Sequence, residues 1–486
     1  MNSPVEIPFT AFIQIDRQKK ETLYLQIVYQ FINAVRTNLL ENNDQLPGSR
    51  KIAGELKVHR KTVIAALNEL EEQGWVKIVP NIGVFVGNPE QNSIQAEEKV
   101  TFRQPLEKAQ FDFRKEVILN NPIENLTEKL YFTEGTPDYR IIKSNELLRF
   151  YTSVLRRKKN VELFSSSWTE SVFFRDQLSY YLNLTRGFHL SRDFLLPIAG
   201  QEQVHSILSR LLIKTGDVVL VEELSYFLPN MIYNQAGAKM KTVPVDGEGM
   251  DIDYIENNFK PGAIRFVYIN TKCQYPTTVN LSNARQKKLL RLAEAYDFLI
   301  IEDDSDFEFS SMRSKKESLF REDGGKRVIY LGAFGRFLNP GFQMNFIIAP
   351  KDFLTEAAKY LNIFGKPNPM MEKALGELIH QGDIHRYQRK SKKIIGERKV
   401  LLAELLREKF KDEISFTVPP SGLAFWIQFH NPVSLVQLQQ KAKEKGLFIS
   451  NLCLYQNRKI TALRLGFAHL DAQEMEEAVE VLRACL

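Results

Sequence analysis

The chain has 486 residues, 44% of them apolar and 26% charged, with a net charge of +6. That length is too great for one ordinary core and fits two or three domains of a globular protein. No apolar run approaches the ~20 residues of a membrane helix. The opening residues lack the basic-then-apolar pattern of a secretory signal, and Cys273, Cys453 and Cys485 are too scattered for a disulfide framework or a metal site. The histidines form no ligand cluster either, so the expectation is a cytoplasmic protein without a metal. The charge is too mild to reveal a nucleic-acid partner, and any such case must come from where the cations stand.

Residues 16–88 predict a small, mostly helical domain with a short β end. Tyr24, Ile27, Phe31, Val35 and Leu39 recur at helical spacing. Pro47-Gly48-Ser49 opens a short helix carrying Ile52, Ala53 and Leu56. A third helix runs from about His59 to Gln73, with Val63, Ala66, Leu67 and Leu70 on one face and Gly74 as its stop. Two extended pieces, 75–79 and 84–86, flank the turn Pro80-Asn81-Ile82-Gly83 and read as a hairpin. Arg60 and Lys61 fall on the open side of the third helix, with Ile64 and Asn68, and Arg50 and Lys51 stand at the start of the second.

Residues 89–125 are polar, with few aliphatics, and read as a linker that Phe111 and Phe113 dock locally. From 126 to 486 apolar strands alternate with amphipathic helices. The strand candidates are 218–221, 266–269, 298–301, 328–331 and 346–348, and helices are expected over 202–213 and 283–295. Near-continuous apolar strands of this kind belong in a sheet buried on both faces. A smaller α+β segment closes the chain after about residue 380. The expected fold class is α/β, with a helical winged module in front.

Helix, turn, second helix and β hairpin is the order of a winged helix-turn-helix, whose second helix enters the major groove. Tyr24-Leu25-Gln26-Ile27, Leu46-Pro47-Gly48-Ser49-Arg50, Val58-His59-Arg60-Lys61-Thr62-Val63 and the wing Asn81-Ile82-Gly83-Val84 follow one another as in the GntR family, which the segment resembles over its whole length. The resemblance implies double-stranded DNA as partner. It assigns base or phosphate contacts to Arg50, Lys51, Arg60, Lys61, Thr62 and Asn81.

The larger region resembles fold-type I aminotransferases, which use pyridoxal phosphate, and in particular the effector half of MocR/GabR-type regulators. The motifs are Gly135-Thr136-Pro137-Asp138, Gly200-Gln201-Glu202-Gln203, Glu223-Leu224-Ser225-Tyr226, Gln274-Tyr275-Pro276-Thr277, the acidic run 301–309, Leu338-x-Pro340-Gly341 and Leu463-Arg464-Leu465-Gly466-Phe467. The resemblance implies a pocket with Tyr226 beside the cofactor ring, Asp303 on its pyridinium nitrogen and Arg464 on a substrate carboxylate. Five positions depart from the family pattern. Arg336 stands where the Schiff-base lysine would be, Ser305 replaces a tyrosine and Gln343 replaces a phosphate-binding arginine. Cys273 replaces a histidine, and Glu202 adds an acid at the phosphate end. A guanidinium stays protonated and forms no Schiff base. Each residue also has an ordinary reading: Asp303 as a turn former, Tyr226 as core, and Arg336 and Arg464 as members of ion pairs.

Together these features predict a MocR-type DNA-binding regulator that is a homodimer and not an enzyme. No cofactor is expected to be held covalently, although the family would imply pyridoxal phosphate. Arg336 and Arg464, with only Asp303 to compensate one of them, are expected to receive a small anionic or amino-acid effector. The rival expectation is an active aminotransferase carrying a DNA-binding arm.

Overall fold

A computed structural model describes residues 8–19, 21–80, 82–87, 107–126, 128–156, 171–310 and 318–486. The chain divides into two compact units, Met1–Phe113 and Arg114–Leu486. Residues 89–106 of the expected linker lie outside the described residues. Phe111 and Phe113 face solvent, 75% and 58% exposed, and lie edge-to-face with each other rather than docking into a core.

In the first unit, α1 (Leu23–Arg36), α2 (Ser49–Glu55) and α3 (Arg60–Glu72) surround one apolar core. The helical stripe of α1 buries Ile27, Phe31 and Val35 as its spacing dictates. Leu39 is past the end of α1 and exposed, and Leu40 fills the core instead. On α3 the buried set is Val63, Ala66, Leu67 and Leu70. Gly74 follows in a left-handed conformation (φ 79°), a geometry that costs other residues a Cβ clash. The hairpin is β2 (Val76–Val79) with β3 (Gly83–Val86), and a two-residue strand, β1 (Gln45–Leu46), pairs with the far side of β3. The core begins earlier in the chain than 16, since Phe9 and Ile13 are buried in it and the Phe9 N–H donates to Glu55 at 2.9 Å.

The larger unit starts with β4 (Leu130–Phe132), β5 (Leu195–Ile198), β6 (Val218–Glu222), β7 (Lys239–Val243) and a minimal hairpin of β8 (Val245–Asp246) and β9 (Gly249–Met250). It continues through β10 (Phe266–Ile269), β11 (Leu299–Asp303), β12 (Val328–Phe334) and β13 (Met344–Ile348). Seven of these form one sheet in the order β5-β13-β12-β11-β10-β6-β7, in which β13 alone runs against its neighbours.

The apolar strands bury both faces by alternation. Val219, Val221, Phe266, Tyr268, Ile301, Ile329 and Ile347 point into one core, against the helices Gln201–Leu212 and Lys351–Phe364. Leu220, Val267, Ile269, Ile300, Tyr330 and Phe346 point into the other. The two strands that the apolar pattern does not reveal are both edges. Pro197 interrupts β5, and the Lys-Met-Lys-Thr-Val of β7 is largely exposed, as sheet edges permit.

A smaller sheet, β14 (Ile414–Phe416), β15 (Ala424–Phe429), β17 (Leu454–Gln456) and β18 (Thr461–Gly466), follows the long helix Asp383–Phe410. The smaller subdomain is not only C-terminal, because β4 returns to pair in parallel with β16 (Leu447–Ile449). This contact carries the segment 133–139 to the side of the main sheet where β11 and β12 end.

The turn after β12 presents residue 336, and Gly335 makes it possible. Its φ is 81°, and a Cβ there would stand 2.4 Å from the carbonyl oxygen of Phe342. Gly335→Ala is expected to destabilise the larger unit by ~1–3 kcal/mol, the scale of a strained left-handed residue. Differential scanning calorimetry would register this as a lower midpoint for that unit, and an unchanged midpoint would show that the turn accommodates a side chain.

Candidate ligand site and nucleic-acid interface

In the first unit the cations expected on DNA all face solvent. Arg50, Lys51, Arg60 and Lys61 are exposed, and Thr62 is half-buried at the first turn of α3. His59 caps that helix, its Nδ1 accepting the Lys61 N–H at 3.2 Å. The Arg60 Nε donates to Ser49 Oγ at 3.2 Å, which ties the start of α3 to the start of α2. Ile64 and Asn68 continue the open face. Asn81 lies outside the described residues.

In the larger unit a cavity of about 560 Å³ opens where β11 and β12 end. It is lined by all six residues expected there: Tyr226, Asp303, Ser305, Arg336, Gln343 and Arg464. Asp303 is 4% exposed and already well satisfied. Its Oδ2 accepts the Tyr268 hydroxyl at 2.6 Å, and its Oδ1 accepts both the backbone N–H and the hydroxyl of Ser305, at 3.0 and 2.6 Å. Ser305 therefore serves Asp303. Tyr226 lies at the N-cap of the helix Phe227–Gln235 and edge-on to Tyr275 at 5.2 Å. Burial, reinforced by Glu134 and Glu202, pushes its hydroxyl up to about 12.

The two arginines do not behave as an unscreened pair. Arg336 forms an ion pair with Asp306, so the expected compensation by Asp303 is replaced by that of a different acid, three residues on. The Arg336 backbone N–H donates to the buried Glu308 at 2.9 Å. Arg464, 4% exposed on β18, makes no ion pair among the described residues. It donates to the carbonyls of Glu134 and Pro276 at 2.6 and 2.7 Å, and its guanidinium lies 4.6 Å from the centre of the Tyr275 ring. The strand-edge ion pair considered for Arg464 is absent, and that considered for Arg336 is present.

Several lining residues escaped the sequence reading. Lys272 is 7% exposed on the cavity wall, next to the buried pair of Asp304 and Arg186. Asp306 and Glu308 stood inside the acidic run, but nothing in their spacing said which would face Arg336. Glu134 precedes the first motif and reaches the site only through the pairing of β4 with β16. Cys273 lines the wall with φ 52°, its Sγ 3.3 Å from the Ser421 carbonyl, and burial pushes the thiol up to about 11.

At the far end, the helix Gln201–Leu212 points its N-terminus into the cavity, the kind of place where backbone N–H groups and the helix dipole favour an anion. An anion of the chain is already there. Glu202 turns back over that end, and a Cβ on Gly200 would lie only 2.9 Å from its Oε2.

Residues 134–482 match the family described as aminotransferase class I and II, and residues 23–86 match the bacterial regulatory proteins of the gntR family. The chain belongs to the aminotransferase class I and II family and carries a gntR-type domain ahead of it. It is 22% identical, over 97% of its length and 95% of the other, to the "Probable rhizopine catabolism regulatory protein MocR" of Rhizobium meliloti. It is 23% identical, over 96% and 97%, to the HTH-type transcriptional regulator YdfD of Bacillus subtilis. The multiple substrate aminotransferase of Thermococcus profundus shares the fold of the larger unit, with a TM-score of 0.67 at 20% identity over 77% of this chain and 96% of that one.

Aminotransferases of this fold normally bind pyridoxal phosphate. The phosphate end of this cavity does not fit a phosphate dianion, because Glu202 supplies a carboxylate at the helix N-terminus and Gln343 offers no positive charge. At the aldehyde end the residue presented by the Gly335 turn is an arginine held by an acid.

Glu308 gives the site a pH signature. Burial pushes its carboxyl up to about 7 against the opposing hydrogen bonds from Gly335 and Arg336, and its Oε1 is buried without a partner. A carboxyl whose folded pKa is raised favours the fold below its unfolded pKa of ~4.3, and that contribution is lost as pH rises through about 7. Glu308→Gln keeps an acceptor for the two N–H groups and removes the titration. Its stability relative to the native protein should therefore rise between pH 5 and pH 8 in denaturation curves. A difference that stays flat across that window would show that Glu308 is not the titrating group.

Proposed function

We propose that the protein is a DNA-binding transcriptional regulator of the MocR type whose aminotransferase-like unit senses a small carboxylate-bearing metabolite without covalent chemistry. One observation supports the reading: the gntR-type domain is fused to an aminotransferase scaffold whose cavity carries Arg336, in an ion pair with Asp306, at the position the resemblance gives to the Schiff-base lysine. A guanidinium cannot condense with an aldehyde, so the scaffold keeps a cavity and loses its means of holding a cofactor covalently. Arg464 is a cation of that cavity without an ion pair among the described residues, and its planar fork suits a carboxylate. The relatives named as regulators share both parts over nearly their whole length.

In this reading α3 enters the major groove with Arg60, Lys61 and Thr62 at its leading end, and Arg50, Lys51 and the wing at Asn81 grip the backbone. The protein acts as a homodimer, so that two recognition helices meet two half-sites. The ligand acts by binding one dimer arrangement better than another, and its effect cannot exceed that difference in affinity. An active aminotransferase with a DNA-binding arm is the weaker reading, because it needs an amine where Arg336 stands.

Arg60→Ala is expected to weaken operator binding by ~1–3 kcal/mol if the residue reads a base. Lys61→Ala, if Lys61 touches phosphate, should weaken specific and non-specific DNA alike and reduce the salt slope by about one. Gel-shift titrations at several salt concentrations separate the two, and unchanged binding by both variants would mean that another surface meets DNA. The purified protein should show no amino-group transfer, and Arg336→Lys alone should not create it, since Glu202 and Gln343 still disfavour the phosphate. Borohydride reduction in the presence of pyridoxal phosphate, followed by peptide mapping, checks this. A reduced adduct on Lys272, the lysine of the wall, would overturn the reading.

A further inference from the structure

The charges of the cavity do not close among themselves. Five carboxylates line it: Glu134, Glu202, Asp303, Asp304 and Asp306. Three are engaged from within the fold, Asp303 by Tyr268 and Ser305, Asp304 by Arg186 and Tyr330, and Asp306 by Arg336. Glu134 and Glu202 take part in no ion pair among the described residues, and neither carboxylate accepts a hydrogen bond from another side chain there. Facing them is Arg464, buried to 4% exposure, a guanidinium that meets carbonyls and a ring but no acid. Glu134, Glu202 and Arg464 are thus left without an ion pair, although Arg464 is close enough to pull the Glu134 carboxyl down against its burial, and Lys272, the remaining cation of the wall, acts on Asp304.

Their placement is not arbitrary. The Arg464 Nε bonds the carbonyl of Glu134, so a carboxylate on the guanidinium fork sits next to the Glu134 side chain. Glu202 is at the other end, over the start of the helix Gln201–Leu212, where a second anion would be repelled. Tyr226 lines the same cavity as both acids, and both add to the burial that pushes its hydroxyl up. A ligand that completes this arrangement carries one carboxylate and one cation close together, and a second cation some distance away.

We propose that the cavity is a site for a basic amino acid, with its carboxylate on Arg464, its α-ammonium beside Glu134 and its side-chain cation at Glu202. Glu202 is then the specificity-determining residue. It converts the end of the scaffold suited to an anion into a seat for a cation. This assignment rests on the reading of the unit as a non-covalent sensor.

Isothermal titration of the full-length protein with L-lysine, L-ornithine and L-arginine, set against L-norleucine and L-glutamate, tests both. Norleucine has nearly the shape of lysine without its terminal charge. At least one basic amino acid should bind tenfold or more tightly than norleucine. Glu202→Gln should abolish that difference and leave norleucine unchanged, Glu134→Gln should weaken all the α-amino acids, and Arg464→Ala should abolish binding. Glu202 is exposed, so its variant should fold, and circular dichroism checks this for all three. If norleucine or glutamate binds as well as the basic amino acids, or Glu202→Gln keeps the preference, the proposal falls while Arg464-dependent sensing stands. If no amino acid binds, the proposal falls, and titration with succinate then tests the sensing reading alone, which falls as well if no Arg464-dependent binding is seen. Pyridoxal phosphate binding tenfold more tightly than pyridoxal would reveal an intact phosphate seat and overturn the role given to Glu202.

Discussion

Three consecutive carboxylates, Glu302, Asp303 and Asp304, are buried at the end of the central strand β11, and the surrounding architecture exists to satisfy them. An unpaired buried carboxylate is costly enough that a fold must supply partners or neutralise the group. Glu302 receives the hydroxyls of Thr271 and Ser318 and the N–H groups of Leu319 and Phe320. Asp303 receives Tyr268 and Ser305, and Asp304 receives Arg186 and Tyr330. Those donors come from β10, from β12, from the helix Val172–Arg186 and from the segment entering the helix Leu319–Asp323. Burial pushes the carboxyls of Glu302 and Asp304 up, and the donors pull them back. Arg186 shows how completely this is enclosed, with three aromatic rings, Phe188, Phe307 and Tyr330, around its guanidinium. Removing one partner of such a pair typically costs about 3–5 kcal/mol, because the other charge stays behind.

That network also explains how the site can change its chemistry while keeping its shape. The residues that hold β11 in place are distinct from those that would have done covalent work. Arg336 arrives on a turn after β12, brings its own acid in Asp306, and leaves the strand ends undisturbed. Ser305 finds a use in holding Asp303. The strand ends of the main sheet and the smaller subdomain define the walls of the cavity.

The same separation of scaffold from chemistry appears in the first unit. Its core is apolar and closed, and the cations expected on DNA are outside it, held by caps and by one side-chain contact between helices. Binding through such a surface draws on charge and on the direction of α3. The core has only to keep those fixed.

The sequence by itself determined the elements whose signal is local. Helical spacing marked α1 and α3, apolar runs marked the buried strands β6, β10, β11, β12 and β13, and the resemblance put Arg336 where its motif has a lysine. The edge strands β5 and β7 were not legible: β5 is buried but interrupted by Pro197, and β7 is largely exposed and carries two lysines, residues that an edge tolerates. Nor were the partnerships of the site. Whether Arg336 would meet Asp303 or Asp306, and whether Arg464 would meet an acid at all, depends on which residues a turn and a distant strand pairing bring together. Glu134 enters the cavity only because β4 pairs with β16, more than 300 residues later in the chain. Charge compensation acts over a few ångströms in space and is blind to separation along the chain, so only the tertiary structure could decide which of the five acids were engaged by side chains of the fold and which two were not.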